Sequence, residues 1–526
     1  MTVPGTGPQP RKVLTPREMA EVDRATIEAG IPSIILMETA ASSVVDYIAR
    51  RLSPVSAQRI VVVCGKGNNG GDGLAIARQL HIQFNPRHLS VVLTCTPEEL
   101  SGDAAQNLAM LRASGIQEYK DFGPEMRGAT LVVDAVLGTG LSGAARGPAL
   151  DAILEINSGF PFAKVVAVDI PSGLSGDSGT PPGEYVRADA TITFTAPKVC
   201  HAIHPACNLM GELEIVPIGS APSLYEQDSR IQLALVTPES IAPCFAPRPR
   251  DSNKGKYGHV LVVAGSRRKP GAAAMAGLAA LHAGAGLVTV ACPESALAAI
   301  ASHAPELMVE PLAETASGEV AFAAFDRILD LANKSSLIAI GPGIGTEDET
   351  SDVVLRLFGQ ARQPMVIDAD ALNCLAGTAF EAKGALRVLT PHPGEMGRLT
   401  GRTIAEVQAD RISSARAFAA GRNVVVVLKG ERTLIGFPDG RVWINPTGSP
   451  AMAKGGTGDI LTGIVSGLLG QFPNDSDRAI AAAVYLHSLA GEIAARHLTE
   501  QTVLASDLLR YLPEGIRGIT NVPHSL

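Results

Sequence analysis

Aromatic residues are scarce: Phe, Trp and Tyr make up 4% of the 526 residues, with a single Trp. The apolar share, 46%, comes instead largely from Ala and aliphatic residues beside 54 Gly, a balance that suits layered α/β domains. There is no long basic run and the net charge is −8, so neither nucleic acid nor an anionic membrane is an expected partner. Cysteines occur at 64, 95, 200, 207, 244, 292 and 374, an odd number with no CxxC and no zinc-module spacing. They read as free thiols in a reducing cytoplasm. The start, MTVPGTGPQPRK, lacks an apolar core and is not expected to be a signal peptide. The least polar window, 271–292, is mostly Ala and Gly, holds His282 and breaks at Gly-Ala-Gly, so it predicts a buried helix and a strand and no membrane span. No G-x-x-x-x-G-K-[ST] occurs, which excludes a P-loop. At this length one core is not enough, and two or more domains are expected.

What is present centres on 448–470, GSPAMAKGGTGDILTGIVSGLLG. Gly455, Gly456 and Gly458 are free to take positive φ and to let a ligand approach the backbone. Ile460, Leu461, Ile464 and Leu468 recur at helical spacing, so a helix is predicted from near Gly458. Its free N–H groups form an anion site. Asp459 sits at the mouth of that site. A carboxylate there repels a bound phosphate, which a purely nucleotide-holding site would avoid. A site that transfers a phosphoryl group needs a base for the acceptor hydroxyl, and Asp459 is placed to be one. The plainer alternative is an ordinary first-turn acid in a Gly-rich turn.

Upstream, amphipathic helices are predicted at about 16–29 and 37–51. Apolar strand runs follow: RIVVVC from Arg59, LSVVLTC from Leu89, ATLVVDAV from Ala129, KVVAVDI from Lys164, DATITF from Asp189 and LEIVPI from Leu213. With helical patterns between them, they predict a parallel, doubly wound sheet that binds ligands beyond its strand ends. Three loops stand at such ends: GKGNNGGDG (65–73), DAVLGTGLSGAARGP after Asp134, and VDIPSGLSGDSG with Asp169 and Ser172. The first satisfies G-x-G-x-x-G, but the second strand ends in Thr94-Cys95-Thr96 without a ribose-binding acid. Asn68, Asn69 and Asp72 offer side-chain oxygens where pyrophosphate would lie, which suits a cation or polar ligand better. Asp72, Asp134 and Asp169, each beside a Gly-rich loop, point to a site.

These loops, in this order, resemble the N-terminal domain of the NAD(P)H-hydrate epimerases over about 14–219. The resemblance implies a Rossmann-like three-layer αβα domain, here bounded at 14–225 after a disordered tail at 1–13. It implies that Asn68, Asn69, Gly70, Gly71 and Asp72 hold the hydrated dinucleotide, together with Gly138, Thr139, Gly140, Leu141, Ser142, Gly143, Ala144 and Asp169. It also implies a potassium ion bound through Asn69, Asp134 and Ser172. Asp169 is the candidate for proton transfer.

Between 219 and 258 the period is lost, and APRPRDSNKGKYG reads as linker, with a boundary near 225–235 and a second domain at 226–526. Strand and helix then alternate again. Lys429 ends the strand VVVVLK, where it is either a surface lysine or a nucleotide contact. His392, between two prolines, is either a satisfied loop residue or part of a site. Asp368 and Asp370 read either as helix caps that support the site from behind or as part of the ligand cavity, with the caps favoured. NKGKYGHVLVVAGS, GPGIG, DADAL, TPHPGEMGRLTG, VLKGERT and AKGGTGD resemble the ribokinase-like fold, a second αβα domain, and within it the ADP-dependent NAD(P)H-hydrate dehydratases.

That resemblance implies a nucleotide, ADP or ATP with magnesium, on Lys429, Gly430, Glu431, Arg432 and Thr433. The same nucleotide is expected on Ser449, Pro450, Ala451, Met452, Ala453, Lys454, Gly455, Gly456, Thr457 and Gly458. The hydrate is expected on Gly343, His392, Pro393, Gly394, Glu395, Met396, Gly397, Arg398 and Asp459. Together the halves imply a bifunctional enzyme acting on NADHX, NADPHX and ADP, cytoplasmic, and a homo-oligomer of four or more subunits. Two rivals differ from it: a kinase of the same fold that releases a phospho-ester, and a non-catalytic N-terminal docking module.

Overall fold

The computed structural model describes residues 8–521. Within them the chain forms two compact units, Arg11–Ile231 and the stretch from Gln232 onward, with residues 8–10 grouped with the latter. Of the tail expected at 1–13, residues 1–7 lie outside those described. The rest is not a tail: Arg11–Lys12 form a short strand β1 and Val13 is fully buried. The cause is local anchoring, because Lys12 Nζ donates to the carbonyls of Ile231 at 2.5 Å and Asp228 at 3.3 Å.

The first unit is built on a seven-stranded parallel sheet of β2 (Arg59–Cys64), β3 (His88–Leu93), β4 (Glu118–Tyr119), β5 (Leu131–Ala135), β6 (Lys164–Val168), β7 (Ala190–Phe194) and β8 (Glu212–Val216). The spatial order is β4-β3-β2-β5-β6-β7-β8. Its central strands are mostly apolar because both faces are covered, with Asp134 near the end of β5 the buried exception. Ile60, Val62 and Cys64 pack under the helices Ser33–Arg51, Asn68–Phe84 and Gly102–Ala113, while Val61 and Val63 pack on the opposite face under Gly147–Ser158. Each such fully buried side chain contributes about 1.5–3 kcal/mol. The helix Asn68–Phe84 comes unusually close to the sheet: a Cβ at Gly73 would lie 2.6 Å from Ala135 Cβ and 2.8 Å from Cys64 Sγ. Close approach there sets Asp72 against the strand ends.

The second unit contains β9 (Leu233–Leu235), β10 (His259–Val263), β11 (Leu287–Pro293), β12 (Met308–Leu312), β13 (Leu337–Ile340), β14 (Met365–Ile367), β15 (Arg387–Leu389), β16 (Val425–Leu428), β17 (Leu434–Gly436) and β18 (Val442–Ile444). They run in the order β9-β18-β17-β16-β15-β14-β13-β10-β11-β12. The strands from β10 to β16 are parallel, and β17 is antiparallel to both its neighbours. The window expected to be helix then strand is the helix Pro270–His282 followed by β11. That helix packs along Thr457–Gln471 with almost no side chain between. A Cβ at Gly463 would meet the Ala276 carbonyl at 2.2 Å, and one at Gly467 the Ala280 carbonyl at 2.6 Å. Glycine inside a helix costs about 1 kcal/mol, and here it permits the close packing that fixes the helix start. The seven cysteines are free. Among the described residues no single helix is long and apolar enough to cross a membrane.

Candidate active sites

In the first unit the strand ends open into a cavity of about 670 Å³. Asn68, Asn69, Asp72, Gly138, Thr139, Gly140, Leu141 and Asp169 line it, and so do Asp23 and Lys198, which sequence reasoning did not single out. Asp169 follows β6 in the left-handed region at φ 64, and Thr195 follows β7 with the same φ. Strain of this kind persists only where surrounding bonds fix it. Here Lys198, 1% exposed, donates from Nζ to Asp169 Oδ1 at 2.5 Å, to Thr193 Oγ1 at 2.9 Å and to the Phe194 carbonyl at 3.1 Å. Burial alone would raise the Asp169 carboxyl, but Lys198 outweighs it and holds the group below the ordinary carboxylate value. Burial instead dominates at Asp72, which is pushed well up, with Asp169 and Asp23 adding to the effect. Asp23 is pushed up to about 6, again mainly by burial. His201 accepts the Lys198 backbone N–H on Nδ1 at 3.0 Å and is neutral, pushed down to about 3 by burial and by Lys198.

Not every expected contact reaches this cavity. The segment Asn68 to Asp72 was read as loop, yet it forms the first turns of the helix Asn68–Phe84. Gly70 and Gly71 face inward there: a Cβ on Gly70 would meet the Gly65 carbonyl at 1.8 Å, and one on Gly71 the Met37 side chain at 2.8 Å. They let the helix pack and do not line the cavity. Ser142, Gly143 and Ala144 are exposed beyond its rim.

Asp134 and Ser172 are fully buried and also do not line the cavity. Ser172 donates from Oγ to Asp134 Oδ1 at 2.5 Å and from its backbone to Asp134 Oδ2 at 2.8 Å. Burial pushes Asp134 up to about 6 against these bonds. Asn69 Nδ2 donates to the Leu137 carbonyl at 3.0 Å, and Leu137 N–H donates to Ser172 Oγ at 2.8 Å, which joins the three residues. Asn69 Oδ1 is buried with no hydrogen-bond partner among the described residues. An orphaned oxygen beside a hydroxyl and a carboxylate is a donor set that fits a hard monovalent cation.

In the second unit the helix Thr457–Gln471 begins at Gly456, which alone of the three loop glycines has positive φ, at 94. Gly455 is open to solvent, and Gly458 is already helical. A Cβ on Gly458 would lie 3.4 Å from Lys429 Nζ and 3.7 Å from Asp368 Oδ2, so the helix terminus, the lysine and that acid converge. His487 fixes the terminus from behind, its Nε2 2.9 Å from the Thr457 carbonyl and therefore protonated at that nitrogen. Lys429 pairs with Asp368 at 2.8 Å and lies 3.7 Å from Glu395. Asp459 is pushed up to about 7, first by burial and then by Asp368.

Asp368 and Asp370 are not helix caps. The N-cap of the helix Asp370–Leu375 is Ala369, with φ 51. Asp368 is 1% exposed and its second oxygen accepts from Thr462 Oγ1 at 2.7 Å. Asp370 accepts from Lys269 Nζ at 3.0 Å and from Gly345 N–H at 3.1 Å, bracing the loop that holds Gly343. His392 is the N-cap of the helix Pro393–Thr400, which takes in the rest of the 392–398 segment. His392 Nδ1 accepts from Gly394 and Glu395 N–H at 3.0 and 3.3 Å, and Glu395 accepts from His392 N–H at 2.8 Å. His392 is therefore satisfied locally, with its ring half exposed. Arg398 is exposed and bonds Asn373 at 2.8 Å. Pro393 and Gly394 are half-buried and Gly397 is buried against the Arg402 carbonyl.

Met396 and Ala451 are turned into the core, so neither offers a side chain to a ligand. The turn from Lys429 through Gly430, Glu431 and Arg432 to Thr433 is held by Arg411, which donates to the carbonyls of Leu428, Lys429 and Glu431. Ser449 Oγ accepts from Ala451 N–H at 3.2 Å to set the turn Pro450–Met452. Ala453 is exposed beyond it, and Lys454 donates to the Gln501 carbonyl at 2.6 Å.

Two known families match the chain: "YjeF-related protein N-terminus" over residues 33–200 and "NAD(P)H-hydrate dehydratase" over 260–514. A bifunctional NAD(P)H-hydrate repair enzyme of Moorella thermoacetica is 41% identical over 519 residues, covering 96% of this chain and 97% of that one. This chain belongs to the bifunctional NAD(P)H-hydrate repair enzymes. The family member of Escherichia coli is 34% identical, over 87% of this chain and 84% of its own. Among solved structures, the ADP/ATP-dependent NAD(P)H-hydrate dehydratase of Bacillus subtilis, crystallised with ATP and Mg2+, is 35% identical. It covers 54% of this chain and 98% of its own, with a TM-score of 0.48. By the family matches, the first unit is the epimerase half of a repair enzyme and the second its dehydratase half.

Proposed function

We propose that the first unit interconverts the R and S hydrates of NADH and NADPH, and that the second dehydrates the S hydrate with ADP, releasing AMP and phosphate. The observation that carries the second part is Asp459: a half-buried carboxyl, pushed up to about 7, at the start of a helix beside Lys429. A group with that value takes and returns a proton near neutrality. The hydrate carries a hydroxyl at C6 of the nicotinamide ring, and hydroxide is a poor leaving group. Asp459 accepts the hydroxyl proton while the oxygen attacks the terminal phosphorus of ADP and AMP leaves. Phosphate then departs with the C6–O electron pair, C5 loses a proton, and the dihydropyridine is restored.

Backbone N–H groups at 455–458 stabilise charge on the transferring phosphoryl, an effect of about 3 kcal/mol per donor in comparable sites. Lys429, Gly430, Glu431, Arg432 and Thr433, with the segment from Ser449 to Gly458, hold the nucleotide. The hydrate lies against Gly343, the 392–398 segment and Asp459. Magnesium bound with the nucleotide would offset phosphate charge. Only one epimer presents its hydroxyl to Asp459, which is why an epimerase half accompanies the dehydratase.

In the epimerase half the hydrate lies in the cavity against Asn68, Asn69, Asp72, Gly138, Thr139, Gly140, Leu141 and Asp169. Asn69, Asp134 and Ser172 would hold potassium, which would supply a fixed positive charge there. The reaction runs in the cytoplasm, and the enzyme works as an assembly of several copies. The kinase reading and the docking-module reading are both tested by products: orthophosphate and not a phospho-ester must appear, and the R hydrate must be consumed. Asp459→Asn decides the mechanism, because it should bind nucleotide yet lose turnover.

A further inference from the structure

The cavity of the first unit holds more carboxyl groups than one proton acceptor requires. Asp169 is committed to Lys198 at 2.5 Å. Asp72 sits 9% exposed on the helix Asn68–Phe84, and no hydrogen bond of its side chain is found among the described residues. Asp23 comes from a different element, the helix Pro16–Glu28, and lines the same cavity. Its Oδ1 is shut off from solvent with no hydrogen-bond partner among the described residues. A buried carboxyl oxygen left without a donor is costly, by about 1–3 kcal/mol, unless a ligand or a proton satisfies it. Lys198 acts on all three of these carboxyls but is hydrogen-bonded to Asp169 alone, and like charges that interact do not all ionise. The Lys198 pair keeps Asp169 charged, and the remaining proton falls to Asp23 and Asp72.

We propose that Asp23 is the second catalytic residue of the epimerase half, the proton donor to the C6 hydroxyl, with Asp72 as its proton-sharing neighbour and Asp169 as the acceptor. This rests on the epimerase reading of the first unit. In the forward step Asp23 transfers a proton to the hydroxyl oxygen. The C6–O bond breaks with its electron pair on the departing water, and the N1 lone pair forms a C6=N1 double bond. Water then adds to the other face of C6, the C=N electrons return to N1, and Asp169 takes the proton of the adding water. The ring is unchanged except at C6, and the enzyme has moved one proton from Asp23 to Asp169. An enzyme left in that state is set to run the reverse direction, as an epimerase acting on both hands must be. The raised Asp23 and Asp72 carboxyls and the lowered Asp169 agree with this division, since groups whose environments drive them apart divide into acid and base.

The test uses the full-length protein without ADP and the purified R hydrate of NADH in oxygen-18-labelled water. Wild type is expected to form the S hydrate with one labelled oxygen per epimerisation, above uncatalysed exchange. Asp23→Asn is expected to lose about a hundredfold or more in kcat with KM nearly kept, and Asp23→Glu to recover part of it. Thermal unfolding beside wild type identifies any variant that has merely failed to fold, and the Glu variant then carries the comparison. A folded Asp23→Asn within a few-fold of wild-type kcat, a change confined to KM, or wild-type product that retains its original oxygen overturns the proposal. A wild type that forms no S hydrate at all overturns the epimerase reading instead.

Discussion

Asp169 lines the cavity of the first unit and Asp459 sits in the first turn of a helix in the second, and their neighbours treat the two acids differently. Lys198 lies 2.5 Å from Asp169 and holds it as a carboxylate. In the second unit the equivalent ammonium, Lys429, is taken by Asp368 at 2.8 Å, and Asp459 is left near neutrality at about 7. One lysine, paired or not with the acid beside it, decides whether that acid is stored charged or poised to titrate. The supports differ as well. The epimerase cavity gathers side chains from several strand ends, whereas the dehydratase site relies on a helix terminus fixed from behind by His487.

The comparison breaks most visibly at Asp459. Asp459→Asn should reduce dehydration of the S hydrate by roughly a thousandfold while ADP still binds, measured as NADH formation and by calorimetric titration of ADP. Activity within a few-fold would mean the acid is scaffolding. Next comes Lys198→Met, which keeps the volume and removes the charge. It leaves Asp169 buried without its partner, so epimerisation should fall about a hundredfold and urea unfolding of the first unit should lose about 3 kcal/mol. An unchanged epimerase would show that Lys198 does not set the state of Asp169.

A pH series sharpens the contrast further. Asp459 must be ionised to accept a proton, so dehydration kcat/KM should fall about tenfold per unit as pH drops below about 7 and level off above it. Asp368→Asn removes the like charge that helps raise Asp459 and frees Lys429, so the same limb should move to lower pH. The smallest effect is expected at His487→Ala, which deletes one hydrogen bond to Thr457. ADP should bind about fivefold more weakly, corresponding to about 1 kcal/mol, with a Gln at that position restoring most of it.

Strand ends were legible because doubly buried strands are uninterrupted apolar runs, and an acid that follows one stands out. Asp72, Asp134, Asp169 and the turn before Asp459 were found in that way. Asp23 and Lys198 were not, because each is a single charged residue in an ordinary helix or turn, and only the tertiary fold turns them toward the same cavity. The helix face formed by Met19, Val22 and Thr26, all buried, has Asp23 beside it, a local hint that periodicity alone does not weigh. Gly-rich sequence hid two helix starts. At His392 the hints were Pro393 at the first helical position and Glu395 two residues on, the marks of a reciprocal cap, but His is a rare cap residue. Asp368 and Asp370 resemble caps in sequence and act as partners for lysines because the chain turns sharply at Ala369. Short strands such as β4, β17 and β18 carry too few residues for alternation to register.

The division of labour between two sites is tested most directly by a mixture of R and S hydrates of NADH incubated with excess ADP, followed to the end as NADH. Wild type should convert all of it, and Lys198→Met should convert the S form rapidly and then continue only at the uncatalysed epimerisation rate. A single fast phase to completion in the variant, or a wild-type reaction that stops once the S form is consumed, would contradict it.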